Sequence, residues 1–159
     1  MEKYLGVKLI QAEPMNLGDY NTFRGWIIPE DEDPNQKGYK VVYQDGYVSW
    51  SPKEVFEEAY RRLDNLTFGL AIEAMKKGLK VARKGWNGKG MWIALSMPPE
   101  SPLAAHNFWN EHSRRFAQEK GGSAEVLPTV IMKTADNKIL MGWLASQTDM
   151  LAEDWEVIE

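Results

Sequence analysis

The chain contains no cysteine, which excludes disulfide staples, thiolate metal sites and a cysteine nucleophile. That usage fits a reducing cytoplasm. Histidine is nearly as scarce, with His106 and His112 the two in the chain. Six residues apart, they do not form the i, i+4 pair that grips a metal from one helix face, and a polar helical stretch usually leaves such imidazoles in solvent. No serine stands in a Gly-x-Ser-x-Gly elbow. No run approaches the ~20 apolar residues that span a bilayer. The opening "MEKYLGVKLIQAEPM" lacks the uninterrupted apolar core of a signal peptide. The expectation is a protein with no membrane segment, no metal, no cofactor and no catalytic set.

What is present is aromatic and unevenly charged. Among 159 residues there are 7 tryptophans, and 43% of the chain is apolar against 26% charged. This is a soluble globular profile, large enough for one ordinary domain or two small ones. The net charge of −4 weighs against general nucleic-acid binding. Its distribution is more informative. Between Glu73 and Glu100 there is no acid, while Lys76, Lys77, Lys80, Arg83, Lys84 and Lys89 all fall there. After Lys138 there is no base, and Asp149, Glu153, Asp154, Glu156 and Glu159 crowd the end of the chain. A local cationic patch on a mildly acidic protein suits a small anion better than a long polyanion.

Patterning predicts an α+β fold of antiparallel sheet and hairpins with a few flanking helices, in two small modules, residues 1–63 and 64–159. In the first, "GVKLIQAEPM" reads as a strand and "YKVVYQDGYVSW" as a hairpin around Asp45-Gly46. "SPKEVFEEAYRRL" reads as a helix with Ser51 as N-cap and Pro52 at its first position. In the second, Thr67 caps "FGLAIEAMKKG", which stops at Gly78. Strands follow at Leu79–Lys84 and at "MWIALSM", then an inserted helix at about 101–120, a hairpin around Asp136-Asn137, a short helix in "SQTDMLAEDW" and a closing strand "WEVIE".

The stretch "VARKGWNGKGMW", Val81–Trp92, concentrates what chemistry the sequence offers. It holds three glycines, two tryptophans and three cations, and no acid. Successive backbone N–H groups in a Gly-rich turn can form an anion concavity. Arg83 and Lys89 can add charge-assisted hydrogen bonds to phosphate, a tryptophan can stack on a base, and Asn87 can read a ribose or base edge. Trp92, on a strand between Met91 and Ile93, is expected in the core, whereas Trp86 is expected to face a ligand or partner subunit. Only a loose likeness to a phosphate-binding P-loop exists, because the Gly-Lys lacks a following Ser or Thr.

"LTFGLAIEAMKKGLKVARKGWNGKGMWIAL" and "LPTVIMKTADNKILMGWLASQTDMLAEDWEVI" resemble the phage Thoeris anti-defence family, type two. The resemblance runs from Leu66 to about Ile158, interrupted by residues 97–126. The first half resembles a short module that precedes other domains in phage proteins. The resemblance implies a non-catalytic sponge in the cytoplasm of the infected bacterial host. It would sequester cyclic ADP-ribose isomers made as immune signals, and in some members cyclic dinucleotides, through pockets between the subunits of a homotetramer. Carried onto the matching motifs, it implies a ligand site among Arg83, Trp86, Asn87, Gly88 and Lys89 of the first, and Trp143, Ser146, Gln147, Thr148 and Asp149 of the second. Asp154 and Trp155 read as structural. The competing readings are a phage interaction protein that uses its tryptophans for protein contacts, a nucleotide hydrolase, and a nucleic-acid binder.

Overall fold

The structure, a computed structural model, describes residues 2–3, 5–88, 90–96 and 102–159. The fold is α+β with antiparallel sheets. The chain divides into two compact units, Met1–Arg62 and Leu63–Glu159.

The first unit is a three-stranded sheet in the order β1 (Gln11–Pro14), β2 (Gly38–Val42), β3 (Val48–Pro52). The β2–β3 hairpin turns through Gly46, whose φ of 83° is the left-handed geometry that Asp-Gly favours. Two helices accompany the sheet. α2 (Lys53–Ala59) begins at Pro52, with no side-chain cap. Ser51, the cap expected from the sequence, is instead the penultimate residue of β3, because pairing with Tyr39 holds it in the ladder. α1 (Leu17–Arg24) is a helix that the sequence pattern does not predict. Asn16 caps it by accepting from the Asp19 N–H at 2.7 Å, and Gly25 closes it at φ 69°. Gly38 lets Trp50 lie directly over β2: a Cβ there would stand 2.3 Å from the indole Cζ2. The indole N–H then reaches the Met15 carbonyl at 2.8 Å.

The second unit is a five-stranded sheet, β10-β4-β5-β8-β9, with one helix on its apolar face. α3 (Phe68–Lys76) is capped by Thr67, which accepts from the Leu70 N–H. Its buried residues Ala71, Ala74 and Met75 follow the i, i+3, i+4 spacing of one helix face. They cover a row that register carries across the sheet. Val157 of β10 (Trp155–Ile158) pairs with Val81 of β4 (Lys80–Arg83), Val81 with Ile93 of β5 (Trp92–Ser96), and Ile93 with Met132 of β8 (Thr129–Lys133). Val81, Ile93 and Trp155 are fully buried. The β8–β9 hairpin turns through Asn137, at φ 62°, and ends in the edge strand β9 (Ile139–Met141).

Between β5 and β8 a small insertion pairs β6 (Leu103–Ala104) with β7 (Ser123–Ala124) around α4 (Glu111–Glu119). The helix is shorter than the expected 101–120. Its cap is Asn110, which accepts from the Ser113 N–H at 3.0 Å, and the residues ahead of it form β6 and a 3-10 turn, Ala105–Asn107. Ser101, where the expected helix began, lies outside the described residues.

Gly38→Ala tests the packing of the first unit. The added methyl overlaps both the Trp50 ring and the Ser51 carbonyl, so a loss of about 1–3 kcal/mol in thermal or urea unfolding is expected.

Candidate functional site

The two motifs singled out in the sequence meet at one end of the five-stranded sheet. In β4, side chains alternate between faces, so Arg83 shares the core-facing side of Val81 at the strand's end. There it is opposite Trp155 of β10. A guanidinium so placed must be paired, because a buried charge without partners is costly. Its Nε donates to Asp154 Oδ1 at 2.8 Å, and its Nη1 to Asp149 Oδ1 at 2.9 Å. Only 18% of the Arg83 side chain and 14% of that of Asp149 are exposed. The two carboxylates raise the arginine above its ordinary value.

Asp149 is the most heavily solvated by protein of the three. It is the N3 residue of α5 (Gln147–Met150), whose cap, Ser146, forms a full capping box with it. Ser146 donates to Asp149 through its hydroxyl at 2.6 Å and its backbone N–H at 3.1 Å. The Trp86 indole N–H adds a bond to Asp149 Oδ1 at 3.2 Å. Burial alone would raise this carboxyl, but the hydrogen bonds from Ser146, Arg83 and Trp86 outweigh it and hold it at about 2. Asp154 is also lowered, through the Arg83 bond first; burial opposes it, and the Gly85 N–H, donating at 2.8 Å, adds to the lowering.

Around this ion cluster the aromatic rings interlock. Trp86 lies edge-to-face with Trp155 at 5.3 Å and with Trp143 at 6.1 Å, and Trp143 meets Trp155 at 6.3 Å. Phe68 of α3 closes the group at 5.4 Å from Trp155. Edge-to-face pairs contribute ~0.5–1.5 kcal/mol each beyond area burial. The Trp155 indole N–H donates to the Asp149 carbonyl at 3.0 Å, so the α5 turn is pinned from both main chain and side chain. Trp86 is therefore half-buried in this cluster, not standing clear of the core as its glycine-flanked position suggests. Its ring fills the space between Trp143 and Trp155, and its one polar atom finds a carboxylate.

The expected site residues thus separate into two sets. Arg83, Trp86, Trp143, Ser146 and Asp149 are tied into the cluster. Asn87, Gln147 and Thr148 are exposed beside it, Thr148 through a hydroxyl 2.8 Å from that of Ser146. Gly88 is half-buried under Met91: a Cβ there would collide with the thioether. Lys89 lies outside the described residues. Asp154, expected to be structural, finds its partner in Arg83, 71 residues away along the chain. Alternation from buried Val81 was the one signal that Arg83 faces inward. Among the described residues no group of three or more His, Asp or Glu side chains is arranged to hold a metal, and no helix is long and apolar enough to cross a membrane.

Comparison with known proteins places this end of the molecule. A family model described as the Thoeris anti-defense 2-like domain matches residues 66–158. The chain belongs to that family. It is 39% identical over 93 residues to the Thoeris anti-defense 2 protein of Bacillus phage SP01, an alignment covering 58% of this chain and 94% of that protein. The Thoeris anti-defense 2-like region spans all five strands of the second sheet, both motifs and the ion cluster. The first unit precedes it.

Two outcomes are expected of the cluster. Arg83→Met leaves two carboxylates facing each other without their cation, and a loss of about 2–4 kcal/mol in the unfolding of the second unit should follow; denaturant melts measure it. The second concerns acid. A carboxyl whose folded value is depressed contributes stability that is present above its unfolded value and lost as pH falls through its folded one. For Asp149, moved from 3.8 to about 2, the window is pH 4 to 2 and the contribution about 2 kcal/mol. Wild-type stability should fall across that window, and Asp149→Asn, less stable throughout, should fall less steeply.

Proposed function

We propose that the protein blocks a bacterial anti-phage defence by sequestering its cyclic nucleotide signal, cyclic ADP-ribose isomers foremost and cyclic dinucleotides second, without cleaving it. Membership of the Thoeris anti-defense 2-like family supports the anti-defence role. The observation that carries the binding reading is the convergence of the two motifs. A charge cluster and three tryptophans fix a Gly-rich loop and a helix start side by side, and that arrangement leaves Asn87, Gln147 and Thr148 outward. Amide and hydroxyl groups of this kind match ribose hydroxyls and base edges.

In this reading Arg83 and Asp149 position the rim and do not touch the ligand. The guanidinium is already shared by two carboxylates, so phosphate attraction falls to Lys84 and Lys89 of the loop and to its backbone N–H groups. A sponge also needs no base or nucleophile, since tight binding of the ground state suffices. Assembly into a homotetramer in the cytoplasm of the infected host completes the proposal. The edge strand β9 supports it: Ile139, Leu140 and Met141 are about half exposed there, and an unpaired apolar edge is a template for a second copy.

The test is recovery of the signal. The protein is incubated with a cyclic ADP-ribose isomer, freed of unbound ligand, and then heat-denatured. Mass spectrometry of the supernatant should return the intact isomer in stoichiometric amount. A hydrolysed product in its place would establish an enzyme.

A further inference from the structure

The first unit carries a cleft of about 500 Å³, within the ~300–1,000 Å³ of ordinary binding clefts. It is lined on one side by Tyr47, Val48, Ser49 and Trp50 and on the other by residues of α1 and the loop after it, among them Arg24, Trp26 and Glu32. Consecutive side chains of a strand point to opposite faces. A cleft touched by four consecutive residues therefore runs along the edge of the strand, not across a face of the sheet.

That edge has no partner strand, since β3 is the outer strand of its sheet and pairs with β2 alone. The Tyr43 N–H donates to the Tyr47 carbonyl at 2.9 Å, which sets the alternation along the hairpin. Tyr47, Ser49 and Ser51 direct their backbone groups to β2, and Val48 and Trp50 direct theirs outward. The Val48 carbonyl accepts from the Tyr20 hydroxyl at 3.3 Å and from Arg24 at 3.5 Å. Among the described residues nothing bonds to the N–H or carbonyl of Trp50.

Two further features sit beside this edge. Trp26 and Tyr47 are 55% and 62% exposed, large for aromatic rings. Trp26 is held in place by the Arg24 guanidinium, 4.7 Å above its ring, and by Tyr20, edge-on at 6.1 Å. The loop that forms the far wall contains Glu30, Asp31, Glu32 and Asp33 in succession, all exposed. A concentrated negative charge next to an apolar surface and an open ladder selects for a cationic strand. It repels nucleic acid, and a second copy of this chain would bring the same acidic loop.

We infer that the cleft binds an extended, basic peptide segment of a partner protein. The segment adds as a strand to the outer edge of β3, with alternate side chains against Trp26 and Tyr47 and a lysine or arginine toward residues 30–33. Main-chain bonds supply affinity in such strand addition, and the side-chain pockets supply selectivity. All the residues that line the cleft belong to the first unit.

The probe is a fluorescein-labelled decapeptide of alternating lysine and valine, read by fluorescence anisotropy against the full-length protein. Saturable binding is expected, weakened about tenfold by Trp26→Ala and by Asp31→Lys, and weakened by added salt. The glutamate–valine counterpart should not bind. Nor should a lysine–valine peptide whose central residues are proline, because proline has no N–H to donate to the ladder. Asp31 is on an exposed loop, so its variant keeps the fold and isolates the charge. The inference is overturned by lack of saturable binding at millimolar protein, by equal binding of the acidic peptide, by full binding of the proline peptide, or by unchanged affinity in both variants.

Discussion

One guanidinium shared by two carboxylates organises the second unit. Arg83 is the last residue of β4 and points into the core side of the sheet. Asp149 stands at the start of α5, and Asp154 immediately precedes β10. Their bonds join three places that the chain visits 66 and 71 residues apart. Each member requires the others. The arginine cannot sit near the core without charge compensation, and two close carboxylates cannot both stay ionised without a cation. The capping box of α5 then uses Asp149 Oδ2, which Arg83 leaves available, and the Trp86 indole N–H shares Oδ1 with the guanidinium. The result is a helix start, a Gly-rich loop and two strands locked in a single geometry.

This arrangement changes which residues of the motifs do which work. A cation beside glycines and tryptophans invites a reading in which every polar group meets the ligand. In the structure the strongest charges neutralise each other, and the tryptophans pack edge-to-face on one another. In the proposed function, ligand selectivity depends on where the cluster sets the outward amides and hydroxyls, Asn87 on one motif, Gln147 and Thr148 on the other. Rigidity of that rim would serve the proposed non-catalytic binder, because preorganised groups lose less entropy on association.

Much of the fold was legible. Asp45-Gly46 and Asp136-Asn137 announced their hairpins, and Thr67 and Gly78 bracketed α3, because these signals are local and depend on φ or on a cap oxygen. Elements decided by tertiary contact were not. α1 is eight residues of mixed polarity with no apolar stripe, and Asn16, an ordinary turn residue in sequence, is what starts it. Ser51 had the spacing of a cap but was claimed by the β2–β3 ladder. In the candidate site, the residue types that build a buried ion cluster are the same types that bind a nucleotide. Spacing along the chain could not tell Asp149 as a partner of Arg83 from Asp149 as a partner of ribose.

In the proposed function an inner cluster holds the geometry and an outer rim binds. Isothermal titration of a cyclic ADP-ribose isomer into the wild type, Asn87→Ala and Gln147→Ala, with the melting temperature of each protein taken alongside, examines that division directly. The account predicts that the two rim variants melt with the wild type and lose about tenfold or more in affinity. Rim variants that bind as tightly as the wild type would contradict it and would move the site elsewhere on the molecule.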